Sequence, residues 1–275
     1  MIKNDLEVIN KSDELRKFLI DNFHALEMDG ASGSNLSFPN FDLFARDYLL
    51  FAEHELKQLQ KNETIIEHIH LINCVSHLRR AIDCQLDTCF EALKIKVFKK
   101  KNLSLEAKLK FFEDAGVFNS LSLARLNKIR NSMEHGYRIP EIKDIETYFD
   151  LVSAFISILE SMLSLLTTFS EVNLAIDNID NKIYFSIWYL FDDKPCISYQ
   201  ITEREKNISK GDQDDSNLYF KYDISNLNDW PEVSKEVTVT VDDRLDFPYF
   251  FKVLLLLARK GSFVSDKFIF EELTK

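Results

Sequence analysis

The sequence predicts an α+β protein in which a helical domain over residues 1–170 precedes a small mixed α/β domain over residues 171–275. Up to about residue 170, apolar residues recur at spacings of three and four, which is the period of an amphipathic helix. Beyond that point, short runs rich in β-branched and aromatic residues alternate with polar turns. Gly and Pro number only 6 and 5, which argues against disorder and against a turn-rich all-β chain.

Helical periodicity divides the first domain into six segments, over residues 12–27, 41–61, 64–98, 104–115, 121–137 and 141–169. Residues 28–40, MDGASGSNLSFPN, are predicted to form a loop because turn-forming residues dominate them. Ser104 is expected to open the fourth helix, and Gly116 is expected to end it. The fifth helix is expected to end before Pro140, since the residue that precedes a proline disfavours helical geometry.

The second domain is predicted to contain four strands, over residues 182–191, 195–202, 217–224 and 235–242. Residues 203–216, EREKNISKGDQDDS, are predicted to form an exposed loop. A helix is expected over residues 246–259, and the pattern of residues 262–273 is ambiguous. The sequence assigns no role to this domain.

The net charge of the chain is −11, which argues against a generic nucleic-acid coat because phosphate binding needs clustered Lys and Arg. A local basic patch nevertheless follows the third predicted helix. It consists of Lys94, Lys96, Lys99, Lys100 and Lys101. The patch fits a solvated helix end, where cations complement the helix dipole, and it also fits a phosphate contact.

Cysteine usage and the N-terminus predict a cytoplasmic protein. The four cysteines include no CxxC pair and are expected to be buried thiols in a reducing compartment. The first residues contain no apolar signal-peptide region. Residues 150–169 are apolar, but a membrane span would expose Glu160 to lipid at a cost of about 2–4 kcal/mol. A buried core or dimer-interface helix is predicted there instead, and no membrane partner is expected.

The segment that carries candidate chemistry is LNKIRNSMEHGYRIP, residues 126–140. On a helix, Asn127, Asn131 and His135 fall at i, i+4 and i+8 and form a polar ridge. Arg130 lies at the edge of the apolar stripe, about 140° around an ideal helix from His135. One straight helix therefore does not bring the guanidinium and the imidazole together. Either the helix bends nearby, or two copies of the segment meet across a symmetric interface.

This segment resembles the R-x4–6-H motif of HEPN domains, in the R-x4-H-x-Y form given by Arg130, His135 and Tyr137. Asn131, directly after the arginine, also matches a frequent choice in that family. The order of the predicted helices over residues 40–170 is similar as well. The resemblance implies a HEPN-like helical bundle. Catalytic members of that family are metal-independent endoribonucleases that act as dimers, so it implies RNA as the substrate and no cofactor.

If the resemblance extends to catalysis, His135 is the general acid and base, because imidazole titrates near neutral pH. Arg130 stabilises the negative charge of the phosphorane with its planar, permanently charged guanidinium group. Asn131 hydrogen-bonds the backbone, the phosphate or His135. Tyr137 contacts phosphate, accepts a modification or packs as a core aromatic residue.

A structural role also fits these residues. Arg130 would then pair with Glu134 at i+4, and His135 would interact favourably with the C-terminal end of its helix. Two functions follow from these alternatives. The first is a dimeric endoribonuclease of a toxin–antitoxin or anti-phage defence system, restrained by a protein partner or antitoxin. The second is a non-catalytic HEPN-like module that dimerises and whose C-terminal domain binds a partner or ligand.

Further candidates for substrate binding are Arg79 and Arg80 on the third helix, with Lys99 and Lys100 after it. Arg79 interrupts an apolar stripe, and a buried arginine is rarely left unpaired. A brace between Arg79 and Asp83, four residues further on, is therefore predicted. The alternative is that one of these side chains reaches the cleft beside the motif helix.

No metal site is predicted from the histidines. His70 and His77 share a face of the third helix but lie two turns, about 10 Å, apart. His54 and Glu55 begin an H-E-x-x pattern, but Gln58 stands at the next ligand position, which argues against a zincin.

Overall fold

The structure is a computed structural model, and it describes residues 10–59, 67–96, 104–119, 121–136, 139, 145–178, 181–205 and 232–275. These residues form eight helices and five strands, so the α+β class is confirmed. The helices are α1 (Lys11–Asn22), α2 (Ala45–Leu59), α3 (Glu67–Ala92), α4 (Leu105–Asp114), α5 (Leu121–Gly136), α6 (Ile145–Thr168), α7 (Asp246–Leu257) and α8 (Asp266–Thr274). The strands are β1 (Glu27–Ser32), β2 (Glu171–Asp177), β3 (Asn181–Leu190), β4 (Cys196–Glu205) and β5 (Glu232–Thr240).

The five strands form one antiparallel sheet in the order β1-β2-β3-β4-β5. Strand β1 comes from the N-terminal part of the chain and pairs with β2, from Glu27 opposite Ala175 to Ser32 opposite Glu171. The prediction of a loop over residues 28–40 is therefore wrong up to Ser32. The edge of β2 supplies hydrogen-bond partners for this segment, and such long-range pairing overrides its weak intrinsic strand preference.

Strand β2 is a second element that the sequence predictions did not include. Its residues alternate between buried and half-buried positions, with Val172, Leu174 and Ile176 on the buried face. The predicted strands 182–191, 195–202 and 235–242 correspond to β3, β4 and β5 with shifts of a few residues at their ends. The predicted strand 217–224 and most of the predicted loop 203–216 lie outside the described residues.

Local capping signals set several helix ends as predicted. The Ser104 side chain accepts a hydrogen bond of 3.3 Å from the Ala107 amide and caps α4. Gly116 adopts a φ of +67° after the end of α4, which favours glycine.

Helix α3 ends at Ala92, earlier than predicted, where the chain turns through Lys94 at a φ of +58°. The ambiguous stretch 262–273 contains α8, which Ser265 caps.

Helix α7 is apolar around nearly its whole circumference. All of its residues are buried except Asp246 and Lys252. It contacts strands β2 to β5 and helices α1, α4, α6 and α8, as a helix without a polar face must. Its rings stack on those of its neighbours: Phe251 lies 5.8 Å from Phe111 of α4, and Phe250 lies 5.5 Å from Tyr199 of β4.

Two further contacts join the helices to the sheet. The buried Tyr189 hydroxyl of β3 donates a hydrogen bond of 2.7 Å to the Leu93 carbonyl, just after α3. Gly33, just after β1, packs against the C-terminal end of α6 so closely that an added Cβ would lie 2.0 Å from the Thr167 carbonyl oxygen. Glycine is therefore required at position 33 for steric reasons, and this close approach fixes β1 beside the start of β2.

Helix α6 is, within the described residues, the single helix that is long and apolar enough to cross a membrane. This is weak evidence, because the core helix of a soluble protein passes the same test. Its buried side chains, among them Phe155 and Leu159, belong to the hydrophobic core of the chain. The Glu160 carboxylate forms an ion pair of 2.6 Å with Arg46 of α2.

Replacing Gly33 by alanine should destabilise the fold, because the new methyl group would collide with backbone atoms of α6 that have no room to move. The expected loss in the free energy of unfolding is about 1–3 kcal/mol, measured by urea denaturation. Gly30→Ala is the matched control, since nothing lies within 4 Å of a Cβ at that position. Equal midpoints and slopes for the two variants would contradict the close packing of Gly33.

Candidate functional site

Helix α5 carries the motif and is fixed at its N-terminal half. Leu123 and Leu126 are fully buried, and the helix packs against α3 and α6. Of the predicted apolar stripe, Leu126 is buried and Ile129 is half-buried, while the side chain of Met133 lies outside the described residues. The motif residues therefore project from a helix whose first turns belong to the core.

The predicted polar ridge runs from the core to the surface. Asn127 is buried, with 5% of its surface exposed, Asn131 is half-buried, and His135 is exposed in the last turn of α5. The imidazole is therefore accessible, while the start of the ridge is held in place.

The Arg130 side chain turns toward this ridge. Its Nη1 donates a hydrogen bond of 3.2 Å to Oδ1 of Asn131. Asn131 and His135 are four residues apart and lie about 40° from each other around the helix. The bond thus draws the guanidinium from a position about 140° away from His135 toward the face on which His135 lies. The side chain of Glu134, the alternative partner, lies outside the described residues.

Asn127 anchors the motif helix to the N-terminus of α4. Its amide donates a hydrogen bond to the Glu106 carboxylate, whose pKa lies below the usual value. The largest cause of the lowered pKa is a hydrogen bond from the backbone amide of Glu106 itself. The Ser104 hydroxyl, the Asn127 amide and the charge of Arg79 act in the same direction, and burial opposes them.

Arg79 and Arg80 face different parts of the molecule. Arg79 forms the predicted ion pair with Asp83 and lies close enough to Glu106 to lower the pKa of that carboxyl. Burial nevertheless raises the pKa of Asp83, although the charges of Arg79 and Lys108 oppose this effect. Arg80 is exposed and, with residues 40–43 and side chains that include Asp83, lines a pocket of about 580 Å³. Of this predicted pair, Arg79 is therefore the one beside the α4–α5 junction.

Most of the remaining basic candidates are paired or lie outside the described residues. Lys99 and Lys100, together with Tyr137, fall outside them. Lys96 forms an ion pair of 2.6 Å with Asp193. Lys108, which the sequence predictions did not select, is mostly buried and pairs with Asp87 at 2.6 Å. Lys108 and Asp87 lie 21 residues apart, a spacing that belongs to no local motif, so helical periodicity could not have predicted this ion pair.

Among the described residues, the cysteines and histidines form no metal centre. In the described part of the chain, no group of three His, Cys, Asp or Glu residues is placed to hold an ion. His70 instead lies 2.5 Å from the Glu55 carboxylate, from Nδ1 to Oε2. Burial raises the pKa of the Cys74 thiol to about 12, so this thiol is unreactive at neutral pH. All four cysteines are free, but Cys84 and Cys196 are only half-buried, which corrects the prediction that all four are buried.

Replacing Glu106 by glutamine should make the stability of the fold depend less on pH in the acid range. Because the folded-state pKa of Glu106 is lowered, its ionised form stabilises the fold above the ordinary carboxyl pKa of about 4.3, and this contribution is lost as the pH falls through the folded-state value. The variant should be less stable than the wild type at about pH 7, and the two should converge toward about pH 3.

Thermal unfolding midpoints across this pH range measure the effect. Glu27→Gln, at an exposed glutamate of β1, is the control and should follow the wild type. Parallel profiles for Glu106→Gln and the wild type would show that the junction of α4 and α5 does not depend on this carboxylate.

Comparison of the chain with protein-family models, with curated proteins and with solved structures gives no match in any of the three. The relation of residues 126–140 to the HEPN motif therefore rests on the motif itself and on the order of the helices.

Proposed function

We propose that the chain is a metal-independent endoribonuclease of the HEPN type that acts on RNA as a homodimer. The observation that supports this most is the hydrogen bond from Arg130 to Asn131. It places the permanent cation on the side of α5 where the exposed His135 lies, and so combines the two groups that phosphoryl transfer to a ribose hydroxyl requires.

The reaction would use the 2′-hydroxyl of RNA as the nucleophile. His135 of one subunit accepts the hydroxyl proton as the O2′–P bond forms. An imidazolium, from the same histidine or from its copy, gives a proton to the 5′ oxygen as the P–O5′ bond breaks. The products are a 2′,3′-cyclic phosphate and a 5′-hydroxyl. Arg130 offers two N–H donors to the phosphorane oxygens, which carry extra negative charge in the transition state.

A homodimer fits this chemistry better than a monomer. One motif helix offers a single accessible imidazole, whereas an isologous interface between two copies of α5 would bring two histidines and two arginines to one cleft. The net charge of −11 opposes general attraction to RNA, so a concentrated local cation pair is needed. Two copies of Arg130 would provide such a pair.

We further propose that this activity serves a toxin or an anti-phage defence effector in the cytoplasm. Such an enzyme must be restrained until it is needed. The region after residue 170, or a protein partner such as an antitoxin, would supply that restraint.

The second candidate function is a non-catalytic HEPN-like dimerisation or binding module. It is favoured by the pairing of the basic residues near the junction of α4 and α5. Arg79 pairs with Asp83 and Lys108 pairs with Asp87, so neither of these cations has its full charge available for phosphate. In that case, the hydrogen bond from Arg130 to Asn131 only braces the end of α5.

His135→Ala and Arg130→Ala should each lower RNA cleavage at least about 100-fold, because they remove the proton carrier and the charge that stabilises the transition state. The measurement is cleavage of a labelled RNA by purified protein in the presence of EDTA, with the product end groups identified. Growth and RNA integrity in a bacterial host that expresses each variant provide the cellular counterpart.

Exposed residues of the same types provide the matched controls. His68→Ala and Arg125→Ala alter exposed side chains, and the second of these lies on α5 itself. Both variants should cut RNA as the wild type does. If the folded wild type leaves RNA intact in both assays, the binding module becomes the better account of the chain.

Asn131→Leu should lower the cleavage rate about tenfold, because Arg130 loses the acceptor that holds it on the face of His135. The effect should fall on the turnover number, since the loss concerns placement of the charge in the transition state. Lys128→Leu, at an exposed position of the same helix, is the control. An unchanged turnover number for Asn131→Leu would show that the hydrogen bond has no catalytic role.

A further inference from the structure

A half-enclosed pocket of about 530 Å³ lies where α6, α7 and α8 meet the residues that follow α4. Its volume falls in the range of small-molecule sites, roughly 300–1,000 Å³. The lining is mainly apolar and includes Ile158 and Met162 of α6 and Leu255 of α7. Phe263 and Phe268 also line it, and they are 90% and 48% exposed.

The cation Arg259 also lines this pocket, just after the end of α7. Among the described residues, its half-buried guanidinium takes part in no ion pair and no side-chain hydrogen bond, and burial lowers its pKa. The neighbouring cations differ in this respect. Lys252 pairs with Glu272 at 3.2 Å, and Lys260 pairs with Asp266 at 3.2 Å.

A half-buried cation without an acid partner is costly, because protein replaces part of its hydration shell and offers no charge in return. Glu272, the acid of the lining, is already engaged by Lys252 and Lys275. With Lys252 and Glu272 neutralising each other, Arg259 leaves the pocket with a net positive charge. A bound anion would compensate that charge.

We propose that this pocket binds a small amphiphilic anion, with its acidic headgroup on Arg259 and its apolar body against α6 and the exposed Phe263. The guanidinium matches a carboxylate or phosphate headgroup through two parallel N–H donors. The apolar lining and the exposed aromatic rings match an aliphatic tail, since both would leave water on binding. The recessed volume suits a ligand of this size better than a flat protein surface.

Gly116 helps to form the wall of this pocket. Its φ of +67° lets the chain turn directly after α4, and an added Cβ would lie 3.3 Å from Cε of Lys252. The turn therefore packs on the aliphatic part of Lys252, whose ammonium reaches Glu272. This arrangement keeps Lys252 occupied and leaves Arg259 as the headgroup site.

Isothermal titration calorimetry, which measures the affinity and stoichiometry of binding to the full chain, tests the proposal with decanoate, 1-decanol and acetate as ligands. Decanoate should bind with one site per chain and a dissociation constant of about 10–100 μM. Decanol lacks the charge and acetate lacks the tail, so each should bind at least about tenfold more weakly. Arg259→Gln should weaken decanoate binding to the same extent, and Arg244→Gln, at an exposed arginine after β5, should leave it unchanged.

A second variant tests the site without touching the charge. Ser161→Trp adds a large ring at a lining position of α6 and should abolish decanoate binding, whereas Thr168→Trp, at the exposed end of the same helix, should not. The proposal is overturned if the wild type gives no saturable binding of decanoate, as expected for a surface that serves a protein partner. It is also overturned if decanol binds as tightly as decanoate, or if both Arg259→Gln and Ser161→Trp bind like the wild type.

Discussion

The arrangement of this protein depends on the burial of helix α7. A helix that is apolar around nearly its whole circumference has almost no face for solvent, so other elements must cover most of it. The sheet contributes Tyr199 beside Phe250, α4 contributes Phe111 beside Phe251, and α1 contributes Ser12, whose hydroxyl bonds Asp246 at 2.5 Å. Each buried aromatic ring of this kind contributes about 1.5–3 kcal/mol. The requirement to cover α7 therefore gathers elements from both ends of the sequence around one core.

The same packing reaches the motif helix in three steps. Phe111 fixes α4 against α7, and Glu106 at the N-terminus of α4 accepts a hydrogen bond from Asn127. One turn further along α5, Asn131 holds Arg130, and a further turn along lies the exposed His135. The ridge is thus anchored at its buried end and accessible at the other. A catalytic group needs this combination, because a supported side chain holds its geometry while substrate still reaches it.

The features that the sequence could predict are those that depend on local chemistry. Ser104 caps α4 through an amide three residues away, and Arg79 reaches Asp83 within one helical turn. In contrast, β1 forms because it meets β2 about 140 residues further along the chain, and no local pattern contains that information. The junction between Asn127 and Glu106 was missed for the same reason, since only the tertiary packing brings α4 and α5 together. The division near residue 170 stays a prediction, and the contact of Tyr189 with Leu93 and the pairing of β1 with β2 cross it.

Helix α4 connects the motif helix with the pocket around Arg259, since Glu106 lies at its start and residues 115–117 follow its end. A ligand in the pocket could reposition α5 only through α4 or through α6, which lines the pocket and packs against α5. Helix α6 is held in the core by the fully buried Phe155 and Leu159. Phe112 of α4 is fully buried, and its ring lies 5.3 Å from that of Phe90 on α3. Displacing such a residue opens a cavity, at a cost of about 3–5 kcal/mol for a phenylalanine. Coupling between two sites also requires an element that can adopt two stable arrangements. The packing of α4 supports a single arrangement. We therefore infer that occupation of the pocket stabilises the core and leaves the geometry of Arg130 and His135 unchanged.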